Sequence, residues 1–168
     1  ANRLLEAFLQ YGKKAYFYTE RDFVFHNMAA SHEFEHERLN VLSAICEKDY
    51  DIIITTPDAA LQFTIPKSRL LSASMEIDRK NEYEISEIVD FLERSGYKRT
   101  DVIDGVGQYA VRGGIIDIFS PAKANPVRID FFGSEIDRMS YFDTLTQRSI
   151  EDCDKINVLP AREGIGYD

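Results

Sequence analysis

Two tight turns between residues 108 and 142 constrain the fold of this chain more than any other feature. The turns are Gly113-Gly114 and Gly133-Ser134. Each lies between two strand-like segments, which in chain order are "QYAVR" (108–112), "IIDIF" (115–119), "VRIDFF" (127–132) and "EIDRMSYF" (135–142). Two-residue turns that contain glycine typically join antiparallel strands. The pattern therefore predicts two consecutive hairpins in an antiparallel meander.

A helix is predicted just before this meander. Asn81 can cap the helix with Glu84 at its third position, and Gly96 can end it. One face of the helix is apolar and consists of Ile85, Ile88, Val89 and Leu92. "INVLP" (156–160) is predicted to return as a further strand. We therefore expect residues 74–160 to form an α+β module with an antiparallel sheet.

The first 73 residues are organised differently, because predicted helices alternate there with short apolar strands. These segments are a helix over 1–12, a strand at "KAYFYT" (14–19), a helix over 32–48 with Ser31 as its N-cap, and a strand at "DIIITTP" (51–57). The alternation predicts an α/β fold with parallel strands. A parallel sheet of two strands needs neighbours, so we expect residues 1–73 to be part of a larger domain.

Charge and composition limit the partners of the chain. The net charge of the 168 residues is −9 at pH 7, and neither half is basic, which argues against a duplex-binding surface. We expect no membrane span and no signal peptide. The two cysteines lie far apart and do not indicate a disulfide framework. A cytoplasmic protein without a membrane partner is expected.

One motif has the spacing of metal chemistry. His32-Glu33-Phe34-Glu35-His36 matches the zinc peptidases, in which two histidines on one helix face bind the metal. The apolar face of the predicted helix lies on the other side. Leu39 and Leu42 stand where the extended motif has its glycine and third histidine. We therefore interpret the two histidines as part of a solvated helix face and expect no metal site.

A second motif resembles a phosphate-binding loop only in part. "YGKK" (11–14) contains the Gly-Lys pair of such a loop. Ala7 stands where the loop needs a glycine, and Lys14 stands where it needs serine or threonine. We therefore expect no nucleotide cofactor and no catalytic residues in this chain.

The alternation of side chains along the hairpins predicts a face that can bind another protein. The core face of strand 127–132 consists of Val127, Ile129 and Phe131. Its polar face consists of Arg128, Asp130 and Phe132. The same alternation separates Tyr109 and Val111 from Gln108, Ala110 and Arg112 in the first hairpin strand. Arginine beside an exposed aromatic side chain is typical of interface hot spots.

A purely structural interpretation of the same residues is also open. Phe132 can pack under a loop, and the two arginines can pair with Asp130, Asp117 or Glu135. A surface ion pair contributes little stability. The residues alone do not decide between the two interpretations.

The sequence also resembles a known family. "YAVRGGIIDIFSPAKANPVRIDFFGSEIDRMSYFDTLTQRSIE" and "NVLPARE" are similar to the amino-terminal region of bacterial transcription-repair coupling factors, which itself resembles UvrB. The likeness is looser over residues 1–73, where "ERDF", "SHEFEHERLNVL" and "IIITTPDAALQ" are similar to the degenerate helicase-like domain of that family.

This resemblance implies a division of labour along the chain. Residues 1–73 would be part of helicase-like domain 1a, 74–160 the UvrA-binding domain 2, and 161–168 the start of the return into domain 1b. Three residues would contact UvrA, namely Arg112, Arg128 and Phe132. The chain itself would not be an enzyme. ATP and Mg would belong to the motor domains of a longer DNA translocase, whose other partners would be RNA polymerase and double-stranded DNA.

Two alternatives remain beside this expectation. One is a fragment of a UvrB-type excinuclease subunit, which would share the UvrA contact. Gly113-Gly114 and "TQRS" (146–149) are more similar to the coupling factors than to UvrB. The other is a nucleic-acid-binding piece of a helicase.

Overall fold

The structure is a computed structural model that describes residues 2–21 and 28–164, with side chains from Glu33 onwards in the second segment. The helices are α1 (Asn2–Gln10), α2 (Met28–Glu47), α3 (Pro57–Leu61), α4 (Lys67–Ser72) and α5 (Ile85–Arg94). The strands are β1 (Ala15–Tyr18), β2 (Ile52–Thr55), β3 (Met75–Asp78), β4 (Lys98–Arg99), β5 (Gln108–Arg112), β6 (Ile115–Ile118), β7 (Val127–Phe132), β8 (Glu135–Phe142), β9 (Ser149–Asp152) and β10 (Lys155–Val158).

A six-stranded sheet dominates the second half of the chain. Its strand order is β4-β5-β6-β7-β8-β9, and every pair from β5 to β9 is antiparallel. Both predicted hairpins are confirmed. Gly113 and Gly133 begin the two turns with φ of +60° and +65°, a conformation that glycine adopts without strain. The sequence analysis missed β9 and the parallel pair of β4 with β5.

One face of this sheet packs on α5 and forms the main core. The predicted apolar face of α5 is confirmed, since Ile88 and Leu92 are buried and Ile85 and Val89 pack against them. The predicted return strand is also confirmed. It is β10, which pairs antiparallel with β3, a strand that the sequence analysis missed.

The predicted N-cap of α5 is wrong. Glu84 occupies the cap position, three residues after Asn81. Tyr83 explains the late start: its amide donates to the carbonyl oxygen of Ser134, and its hydroxyl accepts the amide of Asp78. These contacts hold the chain against the β7–β8 turn, so the helix begins only after them.

The first half of the chain contains the predicted parallel pair. β1 and β2 lie in register from Ala15 opposite Ile52, and α2 packs against β1. The predicted N-cap at Ser31 is wrong, because α2 already begins at Met28. Ala29 and Ala30 have high helix propensity, so the helix includes them and Ser31 lies inside it. No helix in the described part of the chain has the length and apolar character needed to cross a membrane.

A buried ion pair joins the end of the chain to α2. Arg38 is 0% exposed and donates from Nε to Glu163 Oε2 at 2.9 Å, while the Glu163 side chain is 1% exposed. Arg21 Nη2 lies 2.8 Å from Glu163 Oε1, and the Thr64 hydroxyl donates to the same oxygen at 2.8 Å. Burial alone would raise the pKa of Glu163, but these donors together lower it to about 2. The carboxylate therefore stays charged and fully paired.

Removing this carboxylate should destabilise the fold strongly. Glu163→Gln would leave Arg38 buried without its counter-ion, so we expect the free energy of unfolding to fall by about 3–5 kcal/mol. Urea unfolding at pH 7 measures the change. The control is Glu151→Gln in β9, an exposed position where the change should stay below about 0.5 kcal/mol. Equal effects of the two variants would contradict the role of Glu163.

The buried pair of Arg38 and Glu163 predicts that the free energy of unfolding depends on pH. The pKa of Glu163 is lower in the folded chain, at about 2, than its ordinary value of 4.5. Its contribution is therefore complete above about pH 4.5 and is lost as the pH falls towards 2. The stability difference between the unaltered chain and Glu163→Gln should narrow across that range. A difference that stays constant in urea unfolding down to pH 3 would contradict the assignment.

Candidate protein-binding surface

The face of the sheet opposite α5 carries the three residues predicted to form a binding surface. Along β7 the burial alternates: Val127 and Ile129 are buried, Arg128 is half-buried and Phe132 is exposed. The alternation exists because successive strand residues point to opposite faces, and only one face meets α5. The structure therefore places Arg128 and Phe132 away from the core.

Phe132 is the most exposed part of this face. Its side chain is 83% exposed beside the Gly133 turn, whereas Phe131 packs against the main core. The alternative in which Phe132 packs under a loop is therefore wrong. The exposed Phe132 ring lies next to the partly buried Phe131 ring, as expected when successive strand residues point to opposite faces.

Both arginines of the predicted surface bind one buried carboxylate. Asp117 on β6 is 1% exposed. Arg128 donates to it from Nε and Nη2 at 2.7 and 2.8 Å, and Arg112 donates from Nη2 at 2.6 Å. Of the three acids considered as partners, Asp117 is the one that the structure brings to both guanidinium groups. The two arginines therefore form the ion pairs of the structural interpretation, while Phe132 is exposed to solvent.

Arg128 is held on two further sides. Its Nη2 donates to Gln147 Oε1 at 2.9 Å, and its guanidinium lies 4.3 Å from the centre of the Phe142 ring, a cation–π distance. Hydrogen bonding to Asp117 raises the pKa of Arg128 above its ordinary value. The Arg128 side chain keeps 22% of its surface exposed, so it presents a positive charge in a fixed position.

Arg112 is more open than Arg128. Its side chain is 42% exposed, and besides Asp117 it binds the carbonyl oxygen of Asp101 at 3.2 Å. Two of its five N–H groups donate in these bonds, so three remain to donate to a partner. The surface therefore offers the exposed Arg112 beside the half-buried Arg128.

The polar face is smaller than the sequence predicts. Ala110 was expected on it, but Ala110 is buried under Ile103, Val106 and Phe119. The loop between β4 and β5 covers this corner of the sheet. A bulge in β8 near Asp130 also shifts the alternation, so Ile136 and Met139, which are three residues apart, both pack in the main core.

The zinc-like motif has a structural role in part. His36 was expected on a solvated face, yet its Nε2 lies 3.0 Å from the carbonyl oxygen of Ala161. A Cβ on Gly107 would lie 2.8 Å from the His36 ring, and Gly107 has a φ of +78°, so a larger residue would displace the ring and strain the backbone. The side chain of His32 is outside the described residues. Within residues 2–21 and 33–164 no three histidine, cysteine or acidic side chains group as metal ligands would.

Sequence reasoning missed two residues that shape the surface, Phe142 and Gln147. It named Asp117 as one of three possible partners of the arginines, but it did not single out Asp117 as the acid that both of them share. A signal was available, because Asp117 is a single acid within the apolar strand "IIDI". Gln147 carried none, since it reaches Arg128 only through the fold of the loop after β8.

Comparison with known proteins defines the class of domain to which this surface belongs. The family described as "UvrB interaction domain" matches residues 75–163, which is more than half of the chain. The chain therefore belongs to the UvrB interaction domain family. Its six-stranded sheet, α5 and all three predicted site residues lie inside the matched segment.

Particular relatives are transcription-repair-coupling factors. The chain is 35% identical over 135 residues to that of Bacillus subtilis, and 30% identical over 129 residues to that of Staphylococcus aureus (strain USA300). It is 30% identical over 126 residues to that of Escherichia coli K12. These alignments cover 80%, 77% and 75% of the chain but 11% of each relative. The resemblance to the coupling factors is confirmed, and the chain spans about a tenth of their length.

The two adjacent phenylalanines should respond oppositely to truncation. Phe131→Ala removes a ring that packs on the core, so we expect a loss of about 2 kcal/mol of unfolding free energy. Phe132→Ala removes an exposed ring and should change stability by less than about 0.5 kcal/mol. Urea unfolding of both variants measures this. Greater destabilisation by Phe132→Ala would contradict the strand register.

Proposed function

We propose that this chain recruits UvrA through the surface formed by Arg112, Arg128 and Phe132. The observation that carries the proposal is the 83% exposure of Phe132 beside the core residue Phe131. A phenyl ring exposed to water is unfavourable in free energy, and burying it under a partner is favourable. Membership of the UvrB interaction domain family supports a protein partner for this module.

The chemistry of the surface suits a tight protein contact. Aromatic and arginine side chains are enriched among residues that dominate binding energy. Arg128 is already fixed by Asp117, Gln147 and Phe142, so little side-chain freedom remains to be lost when a partner binds. Phe132 supplies the apolar anchor, and Arg112 supplies accessible donors.

We also propose the place of this module in a longer protein. Residues 1–73 form part of a helicase-like domain 1a, 74–160 form the UvrA-binding domain 2, and 161–168 return to domain 1b. The chain performs no catalysis of its own. The parent is a cytoplasmic coupling factor that uses ATP and Mg in its motor domains to move on double-stranded DNA and act on RNA polymerase. The coupling-factor relatives support this assignment over the UvrB-type alternative.

Alanine variants at the three residues should weaken binding to purified UvrA. We expect Phe132→Ala to cost about 2 kcal/mol of binding free energy, or roughly thirtyfold in Kd, with losses in the same direction for Arg112→Ala and Arg128→Ala. Isothermal titration calorimetry with the 168-residue chain measures the change. Melting temperatures are recorded alongside, because Arg128→Ala also removes a partner of a buried carboxylate.

Two matched variants control this experiment. Phe63→Ala removes a similarly exposed phenylalanine, 93% exposed, outside the sheet. Arg94→Ala removes an exposed arginine of α5, on the other side of the sheet, whose Nε donates to the carbonyl oxygen of Asp90. Both should leave the Kd within about twofold, as expected of surface positions without a role in binding. Unchanged binding by all three surface variants would refute the proposed surface.

A further inference from the structure

We infer that Asp117 is the positioning residue of this surface: its one buried carboxylate orients the guanidinium groups of Arg112 and Arg128 for a partner. The inference rests on the proposed function and deepens it. It assigns the two arginines a shared support instead of treating each as an independent contact.

The geometry of Asp117 makes it common to both arginines. Its Oδ1 accepts from Arg128 Nε at 2.7 Å. Its Oδ2 accepts from Arg128 Nη2 at 2.8 Å and from Arg112 Nη2 at 2.6 Å. The contact with Arg128 is therefore bidentate, which fixes the plane of that guanidinium as well as its position.

The strand register explains why one acid reaches two strands. Asp117 lies opposite Ala110 on β5 and opposite Arg128 on β7. The small Ala110 side chain leaves space beside Asp117, and Arg112 lies two residues further along β5. Diagonal neighbours across strands are within reach of long side chains. The central strand thus supports a cation from each side.

Burial makes this arrangement rigid. A carboxylate that is 1% exposed cannot replace its partners with water, so leaving them would carry a large desolvation cost. Without the carboxylate, the two guanidinium groups would repel each other. Arg112 would lose its fixed place first, because its remaining contact in the structure is one bond to the Asp101 carbonyl.

Nuclear magnetic resonance of arginine side chains tests the positioning directly. The comparison is between the unaltered 168-residue chain and Asp117→Asn, which keeps the size of the side chain and removes its charge. We expect the Nε–Hε signals of Arg112 and Arg128 to be ordered in the unaltered chain and to gain mobility and solvent exchange in the variant. Signals that stay equally ordered in Asp117→Asn would overturn the inference. If Asp117→Asn does not fold, Asp117→Thr is used in its place, because threonine favours strands.

Binding measurements with UvrA test the consequence. Asp117→Asn should raise the Kd about tenfold or more, as expected for a hydrogen-bonded charged group. Its effect should not add to that of Arg128→Ala, but it should add to that of Phe132→Ala. The control, Asp90→Asn, changes an exposed acid of α5 on the other side of the sheet and should leave the Kd within about twofold.

The outcomes separate the two levels of the proposal. Full additivity of Asp117→Asn with Arg128→Ala, or an unchanged Kd in Asp117→Asn, would overturn the positioning role while the surface itself stands. Failure of the unaltered chain to bind UvrA would overturn the proposed function. In that case the arginine spectra still decide whether Asp117 orders the two side chains.

Discussion

The buried pair of Glu163 and Arg38 is the interaction on which the arrangement of this chain depends. It joins residues 125 positions apart and fixes the segment that follows β10. In that segment the carbonyl oxygen of Leu159 accepts a hydrogen bond from the Tyr97 hydroxyl, and the carbonyl oxygen of Ala161 lies 3.0 Å from His36 Nε2. The last described residues thus lie against both α2 and the region after α5. A desolvated ion pair stabilises only when every charge is satisfied, so this contact favours one specific packing over alternatives.

The face that carries Arg112, Arg128 and Phe132 also contains a buried carboxylate paired with arginine. Asp117 is buried as deeply as Glu163, yet it holds arginines whose outer surfaces stay accessible. In one case the carboxylate closes a core contact, and in the other it supports a surface. Both sites place a negative charge inside the fold of a chain that is already acidic, and both do so because arginine supplies several donors in one plane.

Local patterns predicted the local structure well. The hairpins and the apolar face of α5 depend on alternation and helical spacing, which a single sequence displays. The same alternation placed Phe132 on the polar face of β7 but did not decide whether a loop covers it. The errors share another cause. The start of α5 is set by Tyr83 binding Ser134, Ala110 is covered by a separate loop, and His36 binds Ala161. Contacts between residues far apart in sequence override propensity, and the shared role of Asp117 depends on three strands at once.

The outermost strand of the sheet has a consequence for the solubility of the protein. β9 is the last strand in the order, and all four of its residues are exposed, including the apolar Ile150. An open strand edge with apolar side chains invites a second sheet to add to it. Glu151 places a negative charge on this edge, and Asp152 holds the charged Arg138 beside it. Charged side chains on an edge strand disfavour pairing with another strand, so addition of a second copy at β9 is disfavoured.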